Sequence, residues 1–169
     1  MHYRWIGAMM IVVSCGGFGC AMGSEYRKTE RQLSGLMRAL KAMQWDLQYR
    51  LTSLPELCLL GGKQAGGAVG WVLNTMGERL ESLIAPDVAS VAAQVLSEKP
   101  LSDPACRLLR ELGSSLGRYD LSGQLDGLSC VMDACKEQQD ILKEGRDLRL
   151  RNYRTLGLCA GAALAILML

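Results

Sequence analysis

The residues from Gly113 to Gly117 read GSSLG and match the G-x-S-x-G pattern of serine hydrolases, with Ser115 in the position of the nucleophile. That chemistry requires a strand before the serine, a histidine that takes its proton and an acid that orients the histidine. No strand pattern precedes residue 113, and the only histidine of the chain is His2. The sequence therefore favours a helix end and a turn at this place over a hydrolase site.

A second stretch, GGKQ at residues 61–64, partly resembles a phosphate-binding loop. No serine or threonine follows Lys63, and the earlier glycine of that loop is missing. The 19 basic and 17 acidic side chains are nearly balanced and aromatic residues are few, which argues against a nucleic-acid surface. We therefore predict no enzyme activity, no cofactor, no small-molecule substrate and no nucleic-acid partner.

The chain contains seven cysteines at irregular spacing. The four in the middle of the chain include no C-x-x-C, and an odd count does not suit a disulfide framework. We therefore predict no metal site, and buried, reduced thiols in a cytosol-like compartment. The cysteines are Cys15, Cys20, Cys58, Cys106, Cys130, Cys135 and Cys159.

The first predicted secondary-structure element of the chain is an apolar N-terminal segment. Residues 5–22 carry no charge, and as a helix they would span about 27 Å, close to the hydrocarbon core of a bilayer. A cleaved signal peptide is one alternative, and a lipoprotein anchored through Cys15 of the box VVSC is another. The apolar run continues past Cys15 and no A-x-A cleavage site follows, so we predict an N-terminal transmembrane helix at residues 1–23.

The C-terminal segment, residues 155–169, is also uncharged. It follows Tyr153 and Arg154, which can lie at a membrane interface, so we predict a transmembrane helix at residues 153–169. A buried helix of the core is the alternative, against which the lack of a polar stripe argues. Basic residues follow the first apolar segment and precede the second, which places residues 24–152 in the cytoplasm. Those predicted at the membrane interface are Arg27, Lys28, Arg31, Arg149, Arg151 and Arg154.

Residues 24–152 show helical periodicity. Leucine and methionine recur three and four residues apart from residue 33 to residue 54, which predicts a helix over about 24–51. A corner follows, where Ser53 and Glu56 form a capping-box pattern around Pro55. The glycine-rich stretch 61–71 then interrupts a second helix, and a third is predicted from Ala68 to Ile84.

Prolines set the later boundaries. Pro86 opens a fourth helix and Pro100 ends it, and Asp103 is the predicted N-cap of a fifth helix that ends near Gly113. A sixth helix begins near Leu121 and can run unbroken into the apolar tail. The chain is therefore predicted to be all-α, an antiparallel bundle of about six helices flanked by an N-terminal and a C-terminal transmembrane helix. The predicted core face of the fourth helix is Val88, Val91, Ala92, Val95 and Leu96.

Exposed aromatic residues are enriched at the centres of protein interfaces. Trp45, Tyr49 and Trp71 are therefore candidate partner contacts. Burial in the core is the alternative for each of them.

The order of these features resembles the stage III sporulation protein AB family of endospore-forming bacteria, over essentially the whole chain. The resemblance rests on RQLSGLMRALKAMQWDLQYRLTSLPEL, on LGSSLGRYDLSGQL and on the basic run before the tail. The family usually has Thr-Pro-Leu where this chain has Thr52-Ser53-Leu54. The matching residues are Arg31, Leu33, Leu40, Tyr49, Thr52, Leu54, Pro55, Leu112, Leu116, Gly117, Asp120, Gln124, Tyr153, Leu156, Gly157 and Gly161.

The resemblance implies a non-enzymatic membrane component of a secretion-like channel between mother cell and forespore, in the mother-cell membrane around the forespore. It implies a helical cytoplasmic domain similar to that of the F-type platform protein of type II secretion. The implied partners are the membrane, a stage III sporulation protein AA-like cytoplasmic ATPase and other stage III channel subunits. Two alternatives stay open: a lipoprotein-anchored helical binding domain outside the cytoplasm, and a membrane enzyme that uses Ser115 or a cysteine.

Overall fold

The computed structural model describes the backbone of residues 2–82, 87–117 and 120–168, and the side chains of residues 25–82, 87–117 and 120–145. Within these ranges the backbone forms six α-helices and no strand. The helices are α1 (His2–Tyr49), α2 (Leu54–Ala65), α3 (Gly67–Glu81), α4 (Val88–Glu98), α5 (Asp103–Ser115) and α6 (Leu121–Met168). The prediction of an all-α bundle is confirmed.

One face of α1 forms the centre of the core. The leucines and methionine that recur along it are buried, as their spacing predicts: Leu33, Leu36, Leu40, Met43 and Leu47. The helix ends at Tyr49, and Leu51 is exposed with a φ of 52°. The prediction that the helix and its apolar face continue through Leu51 is wrong, because the backbone turns before that position.

The corner after α1 leads into α2 at the predicted place. Ser53 is extended, and its carbonyl oxygen accepts a hydrogen bond from the Leu57 amide at 2.8 Å. Pro55 lies in the first turn, where a missing amide hydrogen costs nothing. The Ser53 side chain makes no capping hydrogen bond, so the sequence pattern marks the boundary without forming the reciprocal bonds of a capping box.

The α2 and α3 helices form a tightly packed hairpin. The chain turns between them at Gly66 and Gly67, whose φ angles of 64° and 56° suit glycine. A Cβ atom on Gly70 would lie 2.6 Å from the carbonyl oxygen of Gly62, so the two backbones approach closely only because both residues lack side chains. The predicted interruption of the second helix in the glycine-rich stretch is confirmed.

Arg38 joins α1 to this hairpin. Its guanidinium donates hydrogen bonds to the carbonyl oxygens of Gln64 at 3.3 Å and of Ala65 at 3.1 Å. These carbonyls belong to the last turn of α2, where no further helical amide can reach them. Arg38 therefore caps α2 from a neighbouring helix.

The α4 and α5 helices complete the core. The predicted face of α4 is buried. The N-cap of α5 is Ser102 rather than the predicted Asp103, because the Ser102 carbonyl accepts from the Cys106 amide at 2.9 Å. The Ser102 amide also donates to Gln32 Oε1 at 2.9 Å, which fixes the start of α5 against α1. The α5 helix then continues to Ser115, two residues beyond the predicted end.

The α6 helix packs antiparallel on α1. Leu128, Val131 and Cys135 are buried, and the Cys135 thiol lies 3.5 Å from the carbonyl oxygen of Leu33. Further along, Leu142 and Lys143 of α6 line a small cleft together with the beginning of the described part of α1, Tyr26 and Glu30. The chain therefore enters the bundle and leaves it at the same end.

The two predicted transmembrane segments, residues 1–23 and 153–169, fall outside the residues whose side chains are described. No helix in the described parts of the chain is long and apolar enough to cross a membrane. The predicted boundaries at 23/24 and 152/153 lie inside α1 and α6, each of which is one helix of 48 residues. The end segments are thus continuations of bundle helices rather than separate helices, and their membrane assignment stays a prediction.

We expect Gly70→Ala to lower the free energy of unfolding by about 1–3 kcal/mol, because the new methyl group would meet the backbone of Gly62. Gly145→Ala is the matched control, since a Cβ there meets no atom of the described side chains within 4 Å. It should raise the stability by up to about 1 kcal/mol through helix propensity alone. Denaturation followed by circular dichroism measures both, and equal effects of the two substitutions would contradict the close approach.

Candidate interaction surface

The exposed end of α1 carries a pair of aromatic rings. Trp45 and Tyr49 lie one helical turn apart, on the side of α1 opposite its buried face. Their ring centroids are 5.2 Å apart with an interplanar angle of 44°. The exposed fractions are 55% for Trp45 and 65% for Tyr49, although rings of this size usually bury most of their surface.

Arg50 contacts the Trp45 ring of this pair. Its guanidinium carbon lies 5.7 Å from the centre of the Trp45 ring, within the range of a cation–π interaction. Its Nε atom lies 3.9 Å from Asp46 Oδ1, at the outer limit of an ion pair. These contacts restrict the Trp45 ring while leaving its outer face exposed, which suits a preformed contact surface.

Leu51 extends the apolar surface beyond the helix end. It is 69% exposed, and it holds a positive φ that residues with a side chain rarely adopt. Such backbone strain recurs at functional sites, where it orients a side chain that packing alone would place elsewhere. We call Trp45, Tyr49 and Leu51 the corner patch.

Trp71 lies apart from the corner patch. It belongs to α3, is 39% exposed, and has Lys99 Nζ 5.5 Å from its ring centre. No ring contact within the described side chains joins it to Trp45 or Tyr49. None of the three candidate aromatics is buried, so the core alternative is wrong for all of them, while their role as partner contacts stays a prediction.

The basic residues predicted at the membrane interface divide into two groups. Arg27, Lys28 and Arg31 are exposed on α1, near the end at which the chain enters the bundle. The other group lies outside the residues whose side chains are described: Arg149, Arg151 and Arg154.

The two stretches that resemble catalytic motifs have structural roles. Ser115 is the last residue of α5, and its hydroxyl donates to the Leu112 carbonyl oxygen at 3.0 Å. A helix precedes it instead of the strand that a nucleophile elbow requires. A Cβ on Gly127 would lie 2.7 Å from the Ser115 Cβ, so this serine packs directly on α6. Lys63 and its glycines lie within α2 and form no loop.

The four described cysteines are free thiols, two of them fully buried. Burial raises the pKa of Cys58 from 9.0 to about 12 and that of Cys135 to about 11. Cys106 is half-buried and Cys130 is exposed on α6, so the prediction of uniformly buried thiols is wrong for Cys130. Among the described residues no three His, Cys, Asp or Glu side chains are grouped closely enough to hold a metal ion.

The fold and this surface define an all-α bundle whose distinctive exposed feature is an aromatic patch at the end away from its two chain exits. The sequence model of the family described as stage III sporulation protein AB matches residues 4–169. The chain belongs to the stage III sporulation protein AB family.

Comparison with known proteins agrees with this assignment. Stage III sporulation protein AB of Bacillus subtilis (strain 168) is 22% identical over 171 residues, which cover 98% of this chain and 99% of that protein. A solved structure of a stage III sporulation protein AB superposes with a TM-score of 0.61 at 16% identity, covering 72% of this chain and 98% of the solved one. The second similarity establishes the fold alone. The predicted family is confirmed, and with it a role in sporulation.

The sequence motifs did not identify Arg50 and Leu51 as parts of the surface. A positive φ at a leucine has no sequence signal, because it depends on where the preceding helix stops. The signal that did exist was the four-residue spacing of Trp45 and Tyr49, which places both rings on one face.

We expect a maleimide at pH 8 to modify Cys130 of the folded protein rapidly and to leave Cys58 and Cys135 unmodified. Their raised pKa keeps both thiols protonated and their burial excludes the reagent. Because the folded pKa of Cys58 exceeds its unfolded value, this thiol contributes stability below pH 9 that is lost as the pH rises toward 12. Peptide mass spectrometry measures the labelling, and modification of Cys58 before unfolding would contradict the packing.

Proposed function

We propose that this chain is a non-enzymatic membrane component of a sporulation-specific, secretion-like channel between mother cell and forespore. Residues 1–23 and 153–169 anchor it in the mother-cell membrane that surrounds the forespore. Residues 24–152 form a cytoplasmic domain that docks a stage III sporulation protein AA-like ATPase, next to other stage III channel subunits.

The observation that carries this proposal is the common exit of both chain ends. Tyr26 and Glu30 line the same cleft as Leu142 and Lys143, so the apolar N-terminal and C-terminal segments continue from one end of the bundle. Two uncharged segments that leave a charged bundle side by side can enter one membrane without a long connection. The neighbouring basic residues favour the cytoplasmic side for the bundle.

The corner patch lies at the other end of the bundle. Trp45 is 22 residues beyond the predicted transmembrane helix at residues 1–23, which along a helix corresponds to about 33 Å. A contact surface at this distance from the bilayer is accessible to a soluble ATPase. Exposed aromatic rings beside an arginine have the composition of protein interaction hot spots, which supports the corner patch as the docking surface.

The absence of catalysis is supported by how the chain uses its candidate groups. Ser115 bonds to its own helix and packs on Gly127. The Cys58 and Cys135 thiols are buried, and burial keeps them in the neutral form that is a weak nucleophile. These roles are structural, as a scaffold requires.

In intact cells that produce the chain in their plasma membrane without sporulating, we expect the exposed native thiol of Cys130 to be protected from a membrane-impermeant maleimide and to react after permeabilisation. The full-length chain used for this test carries Cys106→Ser, so that one accessible thiol remains in the described bundle. Labelling of intact cells would place the bundle outside the cytoplasm. The ATPase could not reach it there, and the lipoprotein alternative with Cys15 as anchor would replace the proposal.

We expect the double substitution Trp45→Ala and Tyr49→Ala to weaken binding of the full chain to the ATPase about tenfold or more. Both rings are exposed, so the free energy of unfolding should change by less than about 1 kcal/mol. Ile141→Ala is the control, an exposed apolar residue near the anchored end. Affinity that is unchanged in the double variant, measured by co-purification at varied ATPase concentration, would exclude the corner patch as the docking surface.

A further inference from the structure

The outer faces of α1 and α6 carry charges of opposite sign. On α1 the exposed basic residues recur on the side opposite the buried face: Arg27, Arg31, Arg38 and Lys41. On α6 the exposed acids follow spacings of seven, four, three and four residues: Asp126, Asp133, Glu137, Asp140 and Glu144. We call these two sets the basic stripe and the acidic stripe.

The like charges within each stripe are unfavourable for its own helix, although Lys136 and Lys143 lie beside the acidic stripe and offset part of this repulsion. Asp133 and Glu137 are four residues apart, as are Glu144 and Asp140, and like charges at this spacing destabilise a helix. Arg38 and Lys41 repel each other in the same way. A helix face that meets only water usually carries both signs, which suggests that something of opposite charge covers these faces.

Several members of the two stripes have no ion-pair partner within the described residues. Lys143 lies 3.1 Å from Asp140, but no ion pair reaches Asp133 or Glu137. On α1, Arg31 and Lys41 have no acidic partner there either. Arg38 donates only to neutral carbonyl oxygens, so its charge also persists.

The basic stripe borders a groove of about 520 Å³ between α1 and the hairpin turn. Glu30, Arg31, Ser34 and Arg38 line one wall, and the residues from Gly66 to Val69 line the other. This second wall includes the start of α3, whose first amides have no side-chain cap and add positive potential. Two arginines and one glutamate leave the groove with an excess of positive charge, which suits carboxylates presented in a row.

The acidic stripe lies at the same height in the bundle as this groove. The contact between Cys135 and Leu33 fixes the register of the two antiparallel helices. Counting along both helices from that contact, Glu137 is level with Arg31, and Cys130 is level with Arg38. Asp133 lies between these levels.

The two stripes cannot meet within one molecule. The acidic stripe is on the side of α6 opposite Leu128, Val131 and Cys135, which pack into the core. It therefore faces away from α1. We propose that the acidic stripe of one copy docks against the basic stripe and groove of a second copy. The two copies have the same orientation along the bundle axis.

This contact joins two different surfaces. In a docked pair, one copy therefore keeps its basic stripe unpaired and the other keeps its acidic stripe unpaired. Repetition generates a closed ring if the rotation between copies closes. The common orientation of the copies rests on the proposed function, because anchoring of both ends in one membrane makes all copies point the same way. The charge complementarity itself does not depend on that anchoring.

The test uses two differently tagged full-length chains that are produced together and treated with a short bismaleimide in membranes and in detergent. Both carry Cys15→Ser, Cys20→Ser, Cys106→Ser and Cys159→Ser. One also carries Ser34→Cys and Cys130→Ser, and the other keeps its native Cys130. We expect cross-linked pairs that contain both tags, and none when both chains lack Cys130.

Charge reversal tests the electrostatic basis. Arg31→Glu in one chain or Glu137→Lys in the other should each lower the cross-linked fraction about tenfold, and the two together should restore it. Arg110→Glu, an exposed position on α5 outside both stripes, should change nothing. The wild-type yield should also fall as the salt concentration rises.

Several outcomes would overturn the proposal. These are absence of mixed cross-links, cross-links between two position-34 thiols, and yields that do not respond to charge reversal. Protection of the position-34 thiol in cells without any link to Cys130 would assign the groove to another partner. Because cross-linking in detergent needs neither the ATPase nor a given topology, these outcomes are independent of the tests of the proposed function.

Discussion

The antiparallel packing of α6 on α1 is the contact on which the other features depend. It buries Leu33 against Cys135 and brings the first and last described turns of the bundle into one cleft. One register therefore sets three properties at once. It places both chain exits at the same end, leaves the corner patch at the other, and turns the acidic face of α6 away from the basic face of α1.

The hairpin of α2 and α3 depends on close backbone approach rather than on large side chains. Gly62 and Gly70 allow the two helices to touch, and a Cβ on Gly35 of α1 would lie 2.8 Å from the Ala65 carbonyl oxygen. The hairpin thus lies directly on α1, where Arg38 caps its turn. The groove beside the basic stripe is a consequence of this arrangement, because the glycine turn has no side chains to fill it.

The proposed role as a component that works by contact draws on the family and on the surface chemistry of the chain. The family establishes a role in sporulation. Within that role, the candidate catalytic groups of the chain serve packing, while large apolar and charged groups remain at the surface. A component that works by contact needs such surfaces at defined positions, and two rigid helices that run the length of the bundle supply them.

The sequence by itself determined the helices and their apolar faces. Three-and-four spacing, prolines and glycines act locally, so the starts of α2 and α4 and the buried face of α1 followed from them. The N-cap of α5 was misplaced by one residue, because the long-range bond from Ser102 to Gln32 was invisible in the sequence. The exposure of Trp71 and the register of α6 on α1 were decided only by the tertiary structure. Burial depends on which helix covers which face, and no local spacing encodes that choice.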